Sequence, residues 1–308
     1  MKPLAPIVLF VYNRLWHTQQ TVEALQKNEL SAQSELFIYA DGAKIHETVA
    51  KVNEVRSYIK SISGFKNITI IERDKNWGLA DNIVDGVTKI VNEYGKIIVL
   101  EDDIVTSKGF LKYMNDGLAI YQNDTRVMHI ASFIPKSSYS FILPDTFFLS
   151  FMSCWGWATW KSSWSKFEPN ANFLWNQINM PHKLKKFNLN NSINFHEQLE
   201  ANINGEIHTW AIKWFASIFI NNGLCLYPKK SLSINIGQDG TGQNYTKSIL
   251  SKTSAELSKV NPKTRHIKVK ESSIGLWYLH NYYKNLNKAK LSKRIYYFLY
   301  SIKQMFIR

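Results

Sequence analysis

The chain has 308 residues, 45% hydrophobic and 14% aromatic, enough apolar material for one large domain or two moderate ones, and this excludes a disordered chain. A formal net charge of +14 points to polyanionic neighbours: nucleotides, nucleic acid or anionic lipid. Two cysteines, Cys154 and Cys225, supply neither a disulfide framework nor a zinc site, and no run reaches the roughly 20 apolar residues of a membrane span.

The opening residues MKPLAPIVLFVYNR read poorly as a signal peptide, because the apolar run is short, broken by Pro6 and without a small-residue cleavage site. A cytoplasmic location is therefore expected. Ile7 to Val11 reads as a first apolar strand, and ELFIYADG (35–42) as a second that stops at an Asp-Gly turn. Val52, Val55, Tyr58, Ile59 and Ile62 recur at helical spacing. NITIIERD (67–74) is a third strand, and Leu79, Ile83, Val87, Ile90 and Tyr94 mark one face of the next helix. KIIVLEDDIVTS (96–107) supplies the fourth strand. Continuous apolar strands alternating with amphipathic helices predict a mostly parallel α/β sheet covered on both faces.

Beyond about residue 130 the periodicity weakens. Tryptophans crowd into CWGWATWKSSW (154–164), and SLSINIGQDGTGQN (231–244) is a Gly-rich loop. This predicts a less regular second half packed beside the sheet. Three segments follow: 1–130, the alternating strand–helix half; 131–250, the less regular half; and 251–308, a basic aromatic helical extension.

The fourth strand runs four apolar residues directly into Glu101, Asp102 and Asp103. Ligands of open α/β sheets sit beyond the carboxyl ends of the strands. Alternating side-chain direction would turn Glu101 and Asp103 one way and Asp102 the other. Clustered carboxylates are costly at low dielectric unless a cation offsets them, and hard Mg²⁺ or Mn²⁺ suits such oxygens. The plainer alternative is an acidic turn that complements the next helix dipole. The other strand ends favour the cation: Tyr12-Asn13-Arg14, Asp41-Gly42 and Arg73-Asp74 would empty onto the same edge. There an Arg pairs with phosphate, an Asp accepts from a base N–H, and Tyr12 stacks on a base. Gly78 precedes a helix whose N-terminus would face phosphate.

Taken in order, PIVLFVYNR, YADG, RDKNWGLADNI, IIVLEDD, WGWATW and SLSINIGQDGTG resemble bacterial nucleotide-sugar glycosyltransferases of the GT-A fold. Among them the chain is similar to the family-2-type sugar transferases of surface-polysaccharide biosynthesis, and more distantly to N-acetylglucosaminyltransferase I. The likeness spans roughly residues 5 to 245. It implies an inverting, metal-dependent transferase, UDP-linked donor included, with Asp103 as the Mn²⁺ or Mg²⁺ ligand and Glu101 and Asp102 on ribose and donor-sugar hydroxyls. It also implies that Tyr12, Asn13 and Arg14 line the nucleotide, that Asp41 reads the base, and that Arg73 and Asn76 lie near ribose or phosphates. The implied acceptor is a glycan or lipid-linked glycan.

An inverting transfer needs a general base near the acceptor hydroxyl. Related enzymes place an acid just ahead of a Trp like Trp210; here Glu206 and His208 stand nearby instead. His208 suits proton transfer at neutral pH, or is an ordinary surface histidine. Asp239 in the Gly-rich loop is a third candidate. Where relatives often carry a metal-binding His at the end of that loop, this chain has Asn244, so no ligand is expected there. Trp160 and Trp164 read as core. In Trp155-Gly156-Trp157, Gly156 permits close approach to a ligand, and Trp155 or Trp157 is expected to touch a donor or acceptor sugar. The tail from Leu276 mixes aromatics with lysine and arginine, which suits either a solvated helix or docking on an anionic leaflet.

Two rival readings are weaker. A sugar-1-phosphate nucleotidylyltransferase would need a Gly-rich loop where PIVLFVYNR has none. A nucleic-acid-binding protein would set phosphates against the acidic edge, and no nucleic-acid partner is expected.

Overall fold

A computed structural model describes residues 3–239, 256–260 and 262–287. Asn244 and the tail beyond residue 287 lie outside the described residues. In chain order the first half comprises β1 (Ile7–Val11), α1 (Leu15–Gln26), β2 (Glu35–Ala40), α2 (Val49–Ile59), β3 (Asn67–Glu72), α3 (Leu79–Tyr94), β4 (Lys96–Glu101), β5 (Ile104–Thr106) and α4 (Phe110–Ile120). The second half adds β6 (Val127–Ala131), β7 (Thr146–Leu149), β8 (Trp157–Trp160), α5 (Lys161–Trp164), α6 (Ala171–Ile178), α7 (Pro181–Phe187), α8 (His196–Ile203), α9 (Ala211–Ile220), β9 (Leu224–Pro228) and β10 (Ser233–Asn235). Residues 273–287 are helical. Among the described residues no helix is long and apolar enough to cross a membrane.

Eight strands form one sheet in the order β3-β2-β1-β4-β8-β6-β9-β7. β3, β2, β1 and β4 are mutually parallel, β8 runs antiparallel between β4 and β6, and β6 and β9 are parallel. β10 pairs separately with β5, antiparallel. The second half is thus not packed beside the sheet as expected: β7, β8 and β9 complete it. The fold is α/β and the sheet is parallel through β3-β2-β1-β4, as the apolar runs predict.

Alternation along the strands splits the core in two. On one face Val8, Phe10, Val99 and Met128 pack with Ile83 and Val87 of α3. On the other Ile7, Leu9, Ile98 and Leu100 meet Val22 and Leu25 of α1 and Val55 of α2. Burying both faces removes each strand side chain from water at about 25 cal/mol per Å² of apolar area, so central strands carry no polar face. Register aligns the strand ends: Phe10 lies opposite Glu101, Val11 opposite Ala40, and Ala40 opposite Glu72. Residues 12–14, 41–42, 73–74 and 101–103 therefore leave the sheet on one rim.

The tryptophans form a continuous core. Trp157 stacks on Trp210 at 5.2 Å and on His129 at 5.3 Å, and Trp164 meets Trp214 at 4.9 Å. His129 is fully buried here. Its Nε2 lies 3.0 Å from the Ser153 carbonyl, and its Nδ1 accepts from Trp214 Nε1 at 3.2 Å. Those partners fix the neutral tautomer with the proton on Nε2, and burial pushes its pKa down to about 3.

Candidate active site

A crevice of about 400 Å³ opens over the rim, within the usual range for small-molecule sites. Its lining includes Glu101, Asp102 and Asp103 after β4, Tyr12, Asn13 and Arg14 after β1, Asp41 and Gly78, and from the second half Trp155, His208 and Trp210. The side chains do not alternate as a straight strand would require. β4 ends at Glu101 and the chain turns at Asp102-Asp103, so all three carboxylates line one crevice.

Arg14, directly after β1, holds two of them. Its Nη2 donates to Asp103 Oδ2 at 2.7 Å and also to Asp102 Oδ1, and its Nε reaches Asp102 Oδ2 at 3.4 Å. Burial opposes the Arg14 charge, but Asp102 and Asp103 raise its pKa further above the ordinary value. Burial pushes Asp102 up to about 6 against the pull of Arg14. Burial, with repulsion from Asp103 and Asp102, pushes Glu101 up to about 8. Among the described residues no donor is recorded on Glu101. One guanidinium thus faces three carboxyl groups, and although burial favours the neutral form of Glu101, the cluster holds more acidic groups than Arg14 can pair.

That imbalance is the test of fit for a divalent cation. Among the described residues no three His, Cys, Asp or Glu side chains gather to enclose an ion. Mg²⁺ and Mn²⁺ do not need such a cage: one or two carboxylates suffice when phosphate and water complete the shell. Arg14 donates to Asp103 Oδ2, and among the described residues Oδ1 takes only a 3.3 Å contact from Asn235 Nδ2. Together with Glu101 it offers hard oxygen donors beside unbalanced negative charge, so the residues fit the ion.

Asp41 is saturated. Its oxygens accept from the N–H groups of Gly42, Trp77 and Gly78 and from Asn76 Nδ2, at 2.8–3.1 Å. It fixes loop 76–78, which leaves little capacity to read a base, and Asn76 is spent on Asp41 and the Gly42 carbonyl. Gly78 caps α3 with φ +75°, a conformation that favours glycine, and brings the helix N-terminus to the crevice. Tyr12 lines the crevice while its hydroxyl donates to Thr48 Oγ1 and accepts from Lys44 N.

Four expectations need correction. Arg73 is buried, bound to Asn82 and Asp85 and stacked 3.9 Å from the Trp77 ring, so it braces α3 and does not line the crevice. Trp157 belongs to the aromatic core; only Trp155 reaches the crevice. Gly156 is required by packing, since a Cβ there would lie 2.8 Å from Ser132 Oγ at φ +79°, and it does not line the crevice. Glu206 is exposed, takes a hydrogen bond from Asn204 and lies outside the crevice lining.

His208 lines the same crevice as the carboxylates, and its Nε2 is 2.7 Å from Asp81 Oδ1 in the first turn of α3. Asp81 is a residue the sequence reading missed; its only signal was an acid in a helix first turn. Asp239, also outside the lining, lies 3.2 Å from His17 Nε2. Burial and Arg14 lower the His17 pKa, against the pull of Asp239. This contact and the Asn235–Asp103 hydrogen bond fasten the start of the Gly-rich loop over the carboxylates. Gly237 comes so close that a Cβ would stand 2.1 Å from Asp103 Oδ2.

No family model matches the chain, and no curated protein sequence matches it. Among solved structures it is similar to S. aureus TarS residues 1–349, at 11% identity and a TM-score of 0.39, over 74% of this chain and 59% of that one. A longer S. aureus TarS structure matches at 14% identity and a TM-score of 0.33, over 58% of this chain and 31% of that one. The chain thus spans about three-fifths of the shorter TarS structure and under a third of the longer.

Proposed function

We propose that this crevice transfers a sugar from a nucleotide-sugar, UDP-linked in the first instance, to a hydroxyl of a glycan or lipid-linked glycan, with inversion. The observation that carries the reading is the presence of two groups in the lining of one crevice: a carboxylate cluster with Arg14, and a histidine paired to an aspartate.

Arg14 and the N-terminus of α3 receive the diphosphate. Both present positive charge where charge develops on the leaving group. A bound Mg²⁺ or Mn²⁺, held through Asp103 with Glu101 beside it, would supply further stabilisation of that charge. Trp155 offers an aromatic face to a sugar ring. Asp81 accepts the Nε2–H of His208, which leaves the Nδ1 lone pair for the acceptor. The acceptor O–H gives its proton to Nδ1 as its oxygen bonds the anomeric carbon. The bond from that carbon to the phosphate oxygen breaks, and the diphosphate leaves with the electron pair. One displacement inverts the centre.

The test is release of nucleoside diphosphate from a panel of nucleotide-sugars with Mn²⁺ and a glycan acceptor. Asp103→Ala should abolish turnover while the thermal melt is retained. Near-normal turnover by that variant at saturating Mn²⁺ would overturn the assignment.

A further inference from the structure

Away from the crevice, four large apolar side chains crowd one surface. Phe141 is 73% exposed, Ile274 50%, Trp277 45% and Tyr139 44%. Tyr139 and Trp277 meet edge to face at 5.3 Å, and Phe141 follows Tyr139 on the same short turn. Ile274 precedes Trp277 by one turn of helix 273–287. Scattered apolar residues are ordinary on a surface, but a contiguous group marks a contact. The turn is held firmly: Ser140 Oγ lies 2.7 Å from Tyr278 Oη, and Tyr278 donates to the Pro135 carbonyl. Exposure of Phe141 and Trp277 therefore belongs to an anchored structure.

The border of this group is basic. Lys229 Nζ donates to the Phe141 carbonyl at 3.1 Å, Lys230 follows it, and Lys136 lies five residues before Phe141. Two acids stand nearby. Glu256 is paired to Lys136 at 2.5 Å and feels Lys259 and Lys230 as well, and the Asp145 carbonyl receives the Lys229 N–H. Positive charge remains in excess. Lys284 lies on the outward side of the same helix, and the sequence that continues beyond residue 287 carries Lys288, Lys290, Lys293 and Arg294.

We propose that this surface docks on an anionic lipid bilayer, with Phe141, Trp277 and Tyr139 entering the headgroup region and the lysines facing lipid phosphates. Aromatic rings with a polar atom settle at a membrane–water boundary, and lysines pair an apolar stem with a charged end. A protein interface of this size would be depleted in lysine, whereas an anionic leaflet rewards it. Each lysine near such a surface strengthens binding about fivefold.

The experiment is sedimentation of the full chain with vesicles of phosphatidylcholine, with and without phosphatidylglycerol. Binding is expected only with the anionic lipid and should weaken as salt rises. Lys229→Glu with Lys230→Glu should reduce partitioning at least about 25-fold, from two fivefold steps. Phe141→Ser with Trp277→Ser should reduce it at least about tenfold. All four side chains are exposed or nearly so, and thermal melts should stay unchanged. Equal partitioning of wild type and both variants overturns the proposal. So does a concentration-dependent dimer, found by sedimentation equilibrium without lipid, that the Phe141/Trp277 variant abolishes.

Discussion

His129 allows a quantitative test of the core behind the crevice. The ring is enclosed by Trp157 and Trp214, with both nitrogens committed: Nε2 to the Ser153 carbonyl and Nδ1 to the Trp214 N–H. A proton added at Nδ1 would confront that N–H donor, so the folded state refuses it. The folded pKa of about 3 lies below the unfolded value of 6.5. Above pH 6.5 neither state holds the extra proton and stability is complete. Below it the unfolded chain takes up a proton that the folded chain does not, so stability falls as pH falls, by about 1.4 kcal/mol per unit, until the folded pKa is reached. At about pH 4.5 the two-unit gap amounts to roughly 2.7 kcal/mol. Urea unfolding of wild type and His129→Gln, at about pH 7.5 and about pH 4.5, isolates this contribution because the other titrating groups cancel. Wild type should lose about 2 to 3 kcal/mol more than the variant between the two conditions. Losses that agree within about 1 kcal/mol would show that the ring titrates normally and that the tautomer assignment is wrong.

The remaining predictions concern the crevice and its frame. His208→Ala should lower kcat about 10² to 10⁴-fold with donor affinity retained, measured by turnover and calorimetry; unchanged kcat would remove His208 as base. Asp81→Asn should lower kcat, though less than His208→Ala, since it acts through the ring; unchanged kcat would reduce the contact to a surface pair. Gly237→Ala should lift the loop from Asp103 and weaken donor binding with little change in Tm, and unaltered KM would count against loop docking. Gly156→Ala combines a positive φ with a clash on Ser132 and should cost about 2 kcal/mol or more in denaturant unfolding; tolerance would contradict the packing described.

Much of the parallel half of the sheet was legible because strands buried on both faces must be apolar throughout. β1 to β4 and α3 fall where the apolar runs and the helical spacing place them. α1 was not legible: its buried face includes His17, Thr18 and Thr21, whose hydroxyls donate to the Arg14 and Asp102 carbonyls. Polar side chains satisfied inside a fold leave no hydrophobic period. The carboxylate rim followed from strand ends, and so did Arg14. Arg73 misled because its partners, Asn82 and Asp85, lie one helix later, and strand position cannot distinguish a rim arginine from one folded back beneath α3. Asp81 was invisible for the related reason that its partner is 127 residues away.

β8 has a consequence for how this molecule can change. Because it runs against its neighbours, it begins where they finish, and the residues just before it, Cys154 and Trp155, reach the crevice. Two positions further along, Trp157 is already deep among the aromatics. A single backward strand therefore sets a crevice wall and mechanical support next to each other in sequence while keeping them apart in space. Variation at 155 would reshape the crevice lining; at 157 the same alteration would loosen the scaffold itself.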